Sequence, residues 1–207
     1  MKKSNKGLTI ALISILMVCI AIIILFIFLI PRGKGNEETN VPISIESIEN
    51  YGYSLEDRDG QLYKEVYSEL KEVLKKETID YEEYAKNLAK LYIIDLYTIS
   101  NKVNKYDVGS SEFVVESYKE DFTSKVMDTL YKYVENNSNN KRSQELPTVK
   151  SVEIKDIKAN KLKLGEDTLD GYSVEVEWAY EKDLGYDSSC TLDIVKQGNK
   201  LYVMEQK

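Results

Sequence analysis

The chain has 207 residues with 28 basic and 35 acidic side chains, a formal net charge of −7, and no histidine. The missing imidazole removes the commonest general base, the commonest transition-metal ligand and the usual partner of a Ser or Cys nucleophile. No Cys-x-x-Cys, phosphate-binding loop or Gly-x-Gly-x-x-Gly is present, so zinc, nucleotide and dinucleotide sites lack sequence support and no cofactor or metal is expected.

Residues 1–7 carry Lys2, Lys3 and Lys6 and read as a short cytoplasmic tail. Residues 8–30 form an uncharged apolar run interrupted only by Thr9, Ser14 and Cys19. At about 1.5 Å of rise per residue this run spans roughly 35 Å, enough to cross a hydrocarbon core of about 30 Å as one transmembrane helix. It exceeds the apolar core of a cleaved signal and is followed by no small-x-small site, so an uncleaved signal anchor is expected. Basic residues gather on the cytoplasmic flank of a span, and three lysines precede the run against Arg32 and Lys34 after it. The expectation is a single-pass protein of the cell membrane, its N-terminus cytoplasmic and its C-terminal domain extracytoplasmic, with the lipid bilayer as a partner through residues 8–30. Setting aside the three tail lysines leaves 25 basic and 35 acidic residues, a net charge of −10, which speaks against binding nucleic acid.

Residues 31–60 read as an exit linker and lead-in, the first ten being rich in Gly, Asn, Glu and Lys. Residues 41–53 fit either an extended segment or a short helix. Leu62, Val66, Leu70, Val73 and Leu74 fall at helical spacing and predict an amphipathic helix over 61–76. Asp80, with Glu83 three residues on, predicts a capped start for a second helix. Around residues 91–99 both faces of that helix carry large side chains, as in a helix covered on more than one side. A turn-rich connection follows over 101–116. Ser117 with Glu120 predicts another capped start, and Phe122, Val126, Leu130, Tyr133 and Val134 predict a third helix ending at the asparagines of 136–140.

Beyond Pro147 the period changes to two. Val152 and Ile154 lead into lysines and small turns, whereas Tyr172, Val174, Val176, Trp178 and Tyr180 alternate with polar or small residues, as in a strand with one buried face. Cys190, Leu192 and Ile194 alternate in the next strand, and Leu201 and Val203 follow a Gly-containing turn. The expected domain, 61–207, is therefore α+β: about three helices packed on a C-terminal, curved, four-stranded antiparallel sheet. The two cysteines cannot staple it, because Cys19 lies in the apolar run and Cys190 has no partner beyond it.

This order of elements, with the Trp178 strand and the Leu201–Glu205 strand as its best-defined pieces, resembles extracytoplasmic domains of the nuclear-transport-factor-two-like superfold. It is similar to the membrane-anchored scaffold subunits of type IV secretion and conjugation machines, with cystatin-like domains as an architectural alternative. The resemblance implies a fold and a scaffolding role, and brings no functional residue with it.

Two segments stand out as candidate partner- or ligand-binding sites. One is the hairpin bearing Trp178, Tyr180, Asp183, Tyr186 and Asp187, whose aromatic and acidic tip suits a partner, a glycan or a cation. The other is the loop with Tyr106 and Asp107, placed to cover the open end of the sheet. The bland reading makes Trp178 and Tyr180 core, the aspartates turn residues and the loop an ordinary connection. Sixteen tyrosines suit interfaces, and the bland reading places their rings along a helix–sheet seam. No catalytic residue is expected, since 35 scattered carboxylates on amphipathic faces read as solvated surface. The leading expectation is a membrane-anchored binding or scaffolding module of a cell-envelope assembly, contacting other envelope proteins or a second copy of itself. A ligand-sensing receptor with a helix–sheet pocket and a carboxylate-based hydrolase are the alternatives.

Overall fold

The structure, a computed structural model, describes residues 42–207. The tail, the transmembrane helix expected over 8–30 and the first part of the linker lie outside the described residues. Among the described residues no helix is long and apolar enough to cross a membrane.

Residues that the sequence left open between extended and helical form a β-hairpin, β1 (Ser44–Ile48) with β2 (Tyr53–Glu56). Gly52 takes the left-handed backbone of its turn, with φ +68°. Tyr53 and Leu55 point into the same core as the helices that follow. Helix α1 (Gln61–Leu74) buries Tyr63, Val66, Tyr67, Leu70, Val73 and Leu74, one stripe at three- and four-residue spacing. Helix α2 (Tyr81–Tyr97) starts where Asp80 accepts the backbone N–H groups of Glu82 and Glu83, each at 3.1 Å, a cap worth about 1 kcal/mol. It packs on α1 and on the main sheet, and its last two turns are buried on nearly every side.

Helix α3 (Lys119–Asp128) corrects the expected start and end. Its N-cap position is Tyr118, with no side-chain cap, so Ser117 does not start it. It stops at Asp128 although the apolar spacing runs on, because Tyr131 turns into the core: its N–H bonds Val126 O at 2.9 Å and its hydroxyl donates to Leu96 O at 2.7 Å.

The main sheet is an antiparallel meander, β3 (Val149–Leu164), β4 (Asp167–Tyr180), β5 (Ser189–Gln197) and β6 (Lys200–Gln206), with neighbours in chain order. The α+β class read from the sequence holds. The lysines and turns expected after Ile154 are instead one continuous strand, paired from Val149↔Tyr180 to Leu164↔Asp167 with two bulges. As an edge strand, β3 turns Lys150, Lys155, Lys158, Lys161 and Lys163 to solvent, and charge with bulges is how an edge avoids further pairing. Gly171 in β4 leaves room for the β5 backbone, since a Cβ there would overlap the Ile194 carbonyl oxygen and press on Leu162. The outer face of the sheet has its own small core of Val115, Leu162 and Val195.

The other edge, β6, is half closed. Tyr53 donates its hydroxyl to Leu201 O at 3.0 Å, the Tyr84 hydroxyl accepts Leu201 N–H at 3.2 Å, and Val115 N–H reaches Val203 O at 3.1 Å. Tyrosines thus fill the helix–sheet seam and satisfy its backbone: Tyr53, Tyr67, Tyr84, Tyr92 and Tyr131 are all fully buried.

Candidate functional site

Asn104 shapes the loop that holds Tyr106 and Asp107, accepting Tyr106 N–H on its side chain at 2.8 Å and Asp107 N–H on its carbonyl at 3.1 Å. The turn sends the two side chains opposite ways. Tyr106 is 70% exposed, whereas Asp107 faces inward and accepts both terminal nitrogens of Arg58 and the Val103 N–H at 2.7 Å. Arg58 also donates to Glu56, at 2.6 Å, and to Asn101 O. Asp107 is therefore a structural anion rather than a free ligand at the open end of the sheet.

Beneath this pair lies a second layer. Asp95, near the end of α2, accepts the fully buried ammonium of Lys102 and the Ser110 N–H, while the Ser110 hydroxyl donates to Tyr92 O at 2.7 Å. Gly109 permits the approach, since a Cβ there would stand 2.5 Å from Asp95 O. Glu112 accepts the N–H and hydroxyl of Ser54, the latter at 2.7 Å, and Asp59 accepts Glu56 N–H at 2.7 Å. Five carboxyls thus surround two cations. Burial pushes Glu112 up to about 7 and Asp59 up to about 6, Asp95 adding to both through its charge. Burial works against the charge of Asp107 too, but hydrogen bonds from Arg58 and Val103 outweigh it and hold that carboxyl below its ordinary value. The enclosed space is about 140 Å³, room for a few waters and below the range of small-molecule pockets. Among the described residues no cluster of carboxylates and thiols is arranged to hold a metal ion. Arg58, Asp59, Asp95, Lys102 and Glu112 were not singled out from the sequence; an aspartate inside the most apolar helix was the one visible signal.

The hairpin candidates divide in the same way. Trp178 is buried, its ring centroid 4.6 Å from that of Tyr97. Tyr180 donates its hydroxyl to Asp187 O at 2.7 Å and packs against Tyr186, and Asp183 accepts Gly185 N–H at 2.9 Å. Tyr180 and Asp183 thus shape the turn, while Asp187 also lines the groove described next. Cys190, half-buried beside the same seam, has its thiol pushed up to about 12 by burial and by Asp187, which leaves little thiolate.

That groove, about 660 Å³, separates α3 from the open end of β6. Phe122, Lys125 and Leu130 form one wall and residues 203–207 the other, with Tyr92 and Tyr97 at the base. Gln206 braces the base: its amide donates to the Tyr97 hydroxyl at 2.6 Å, and its carbonyl oxygen accepts from Tyr92 at 3.2 Å. Tyr97, raised to about 12 chiefly by burial, keeps its proton. Thr191 and Lys207 exchange both backbone bonds at 2.9 Å. Antiparallel alternation then turns the Gln206 N–H and C=O away from β5, toward the groove side. The result is a short length of open strand edge beside aromatic walls, with charges of both signs at its rim. No family model, no curated protein and no solved structure matches the chain.

Proposed function

We propose that the chain is a single-pass, membrane-anchored protein whose extracytoplasmic α+β domain is a binding or scaffolding module of a cell-envelope assembly. The apolar run of residues 8–30 and the lysines before it support the anchor and its orientation. The element order, similar to that of scaffold subunits of type IV secretion and conjugation machines, supports the role. The observation that carries the binding half is the groove beside the open end of β6. Its occupant is an extended segment of another envelope protein, which continues the sheet past Val203 through the backbone of Gln206 and sets alternate side chains against Phe122 and Leu130.

A photo-crosslinking residue placed in living cells at Phe122 or Met204, on the groove, is expected to join one other envelope protein, and the same residue at Lys161 on the far hairpin is not. Gln206→Pro removes the outward N–H, a change an edge strand tolerates, together with the side-chain amide that braces Tyr92 and Tyr97, so Gln206→Ala, which removes the amide alone, is its control: the crosslink is expected to survive Gln206→Ala and to be abolished by Gln206→Pro while the domain stays folded. Equal capture from Lys161 and the groove, or capture untouched by Gln206→Pro, would contradict the proposal. Joining to a second copy of the chain would replace the foreign partner with self-assembly.

A further inference from the structure

Large side chains left in water are few in the described part of the domain, and most of them gather at one end. Tyr133 is 76% exposed, Tyr106 70%, Ile43 63% and Ile45 57%, whereas the core holds more than thirty buried apolar residues. Backbone and ionic contacts bring their segments together at the C-terminal end of α2. Ile43 exchanges hydrogen bonds with Asp57, its N–H to the carboxylate at 3.1 Å and its C=O from the backbone at 3.0 Å. Arg58, the next residue, holds Asp107 beside Tyr106. The stretch carrying Tyr133 is tied to the same loop by Asn137 N–H on Val103 O at 2.7 Å and Arg142 on Lys102 O at 2.8 Å. Tyr106 and Tyr133 each have a lysine over the ring, Lys105 at 5.0 Å from Tyr106 and Lys132 at 5.3 Å from Tyr133.

Resting on the anchor reading above, we infer that this end of the domain is a lipid-contacting surface, with Ile43, Ile45, Tyr106 and Tyr133 seated in the headgroup layer of the outer leaflet. The length of chain that precedes it names the occupant. Eleven residues, 31–41, separate the apolar run from Pro42, and even fully extended they reach no more than about 40 Å. The domain's first described residues, Ile43 among them, are therefore confined to a layer close to the bilayer. Tyrosine is the side chain suited to that layer, its ring apolar and its hydroxyl wet, and lysine stems lie along it with the ammonium toward phosphate. A net charge of −10 beyond the span opposes approach to an anionic surface, so the contact depends on apolar and aromatic side chains and persists on zwitterionic lipid.

The test uses the full chain in zwitterionic vesicles, with Cys19→Ser and Cys190→Ser and one spin label at a time through Ile43→Cys, Tyr106→Cys, Tyr133→Cys or, as control, Lys161→Cys. Labels at 43, 106 and 133 are expected to be relaxed several-fold more by lipid-soluble oxygen than by an aqueous nickel chelate, and the label at 161 the reverse. If all four read as aqueous while the protein floats with the vesicles, the inference fails and the anchor stands. Shielding of position 43 from both agents would mean protein rather than lipid covers it, and overturns the inference as well. If the protein does not float, the anchor reading fails and takes this inference with it.

Discussion

Glu112 and Asp107 belong to one polar cluster yet respond to pH in opposite senses. Glu112 is held above its ordinary value of 4.5, at about 7, so the folded state binds a proton that the unfolded chain has released between those limits. Its contribution is complete below about 4.5 and is lost as pH rises through 7. Glu112→Gln keeps an acceptor for Ser54 and removes the charge. Urea unfolding should find it more stable than the parent at pH 8 by about 1–3 kcal/mol, with a flatter slope between pH 5 and 7. An unchanged slope would place the titrating proton elsewhere. Asp107 is held below 3.8, so its contribution is present above that value and disappears as pH falls through its folded pKa. Asp107→Ala leaves the Arg58 guanidinium, 16% exposed, without its principal anion and Val103 N–H without an acceptor. The expected loss at neutral pH is about 2–4 kcal/mol. A loss below about 0.5 kcal/mol would mean water screens the pair.

Among the elements, periodicity carried most of the information. α1, α2 and the alternating strands were legible because each buries a stripe or a face along its whole length. The β1–β2 hairpin was not, because Ile43 and Ile45 face outward and break the alternation a half-buried strand would show. The end of α3 was missed because the spacing of Leu130, Tyr133 and Val134 mimics a further turn, while the backbone unwinds to drive Tyr131 into the core. The lysines of β3 resemble a loop in sequence, whereas they mark a solvent-facing edge. The close approach of β4 to the Ile194 carbonyl of β5 rests on one residue that composition alone does not flag. Gly171→Ala pushes a methyl group into the Ile194 carbonyl and should cost about 2–3 kcal/mol or more in thermal unfolding, with the loss centred on amide exchange across β4 and β5. Wild-type stability would mean the β4–β5 separation is wider than described.

At the scale of the whole molecule, the candidate sites show what a linear reading reaches. Tyr106, Asp107 and the Trp178–Asp187 hairpin stood out for their chemistry, yet Asp107 finds Arg58 forty-nine residues earlier and Trp178 finds Tyr97. The groove draws on α2, α3 and β6, three segments distant in sequence, so no local motif announces it. What the sequence states most directly is the apolar run ahead of the domain, and the binding, scaffolding and lipid contact proposed above all depend on it. Sodium carbonate extraction of membranes from cells making the full chain, followed by sedimentation, tests that dependence. Retention in the pellet at alkaline pH, with release only by detergent, is the expected result; recovery in the supernatant would contradict the account.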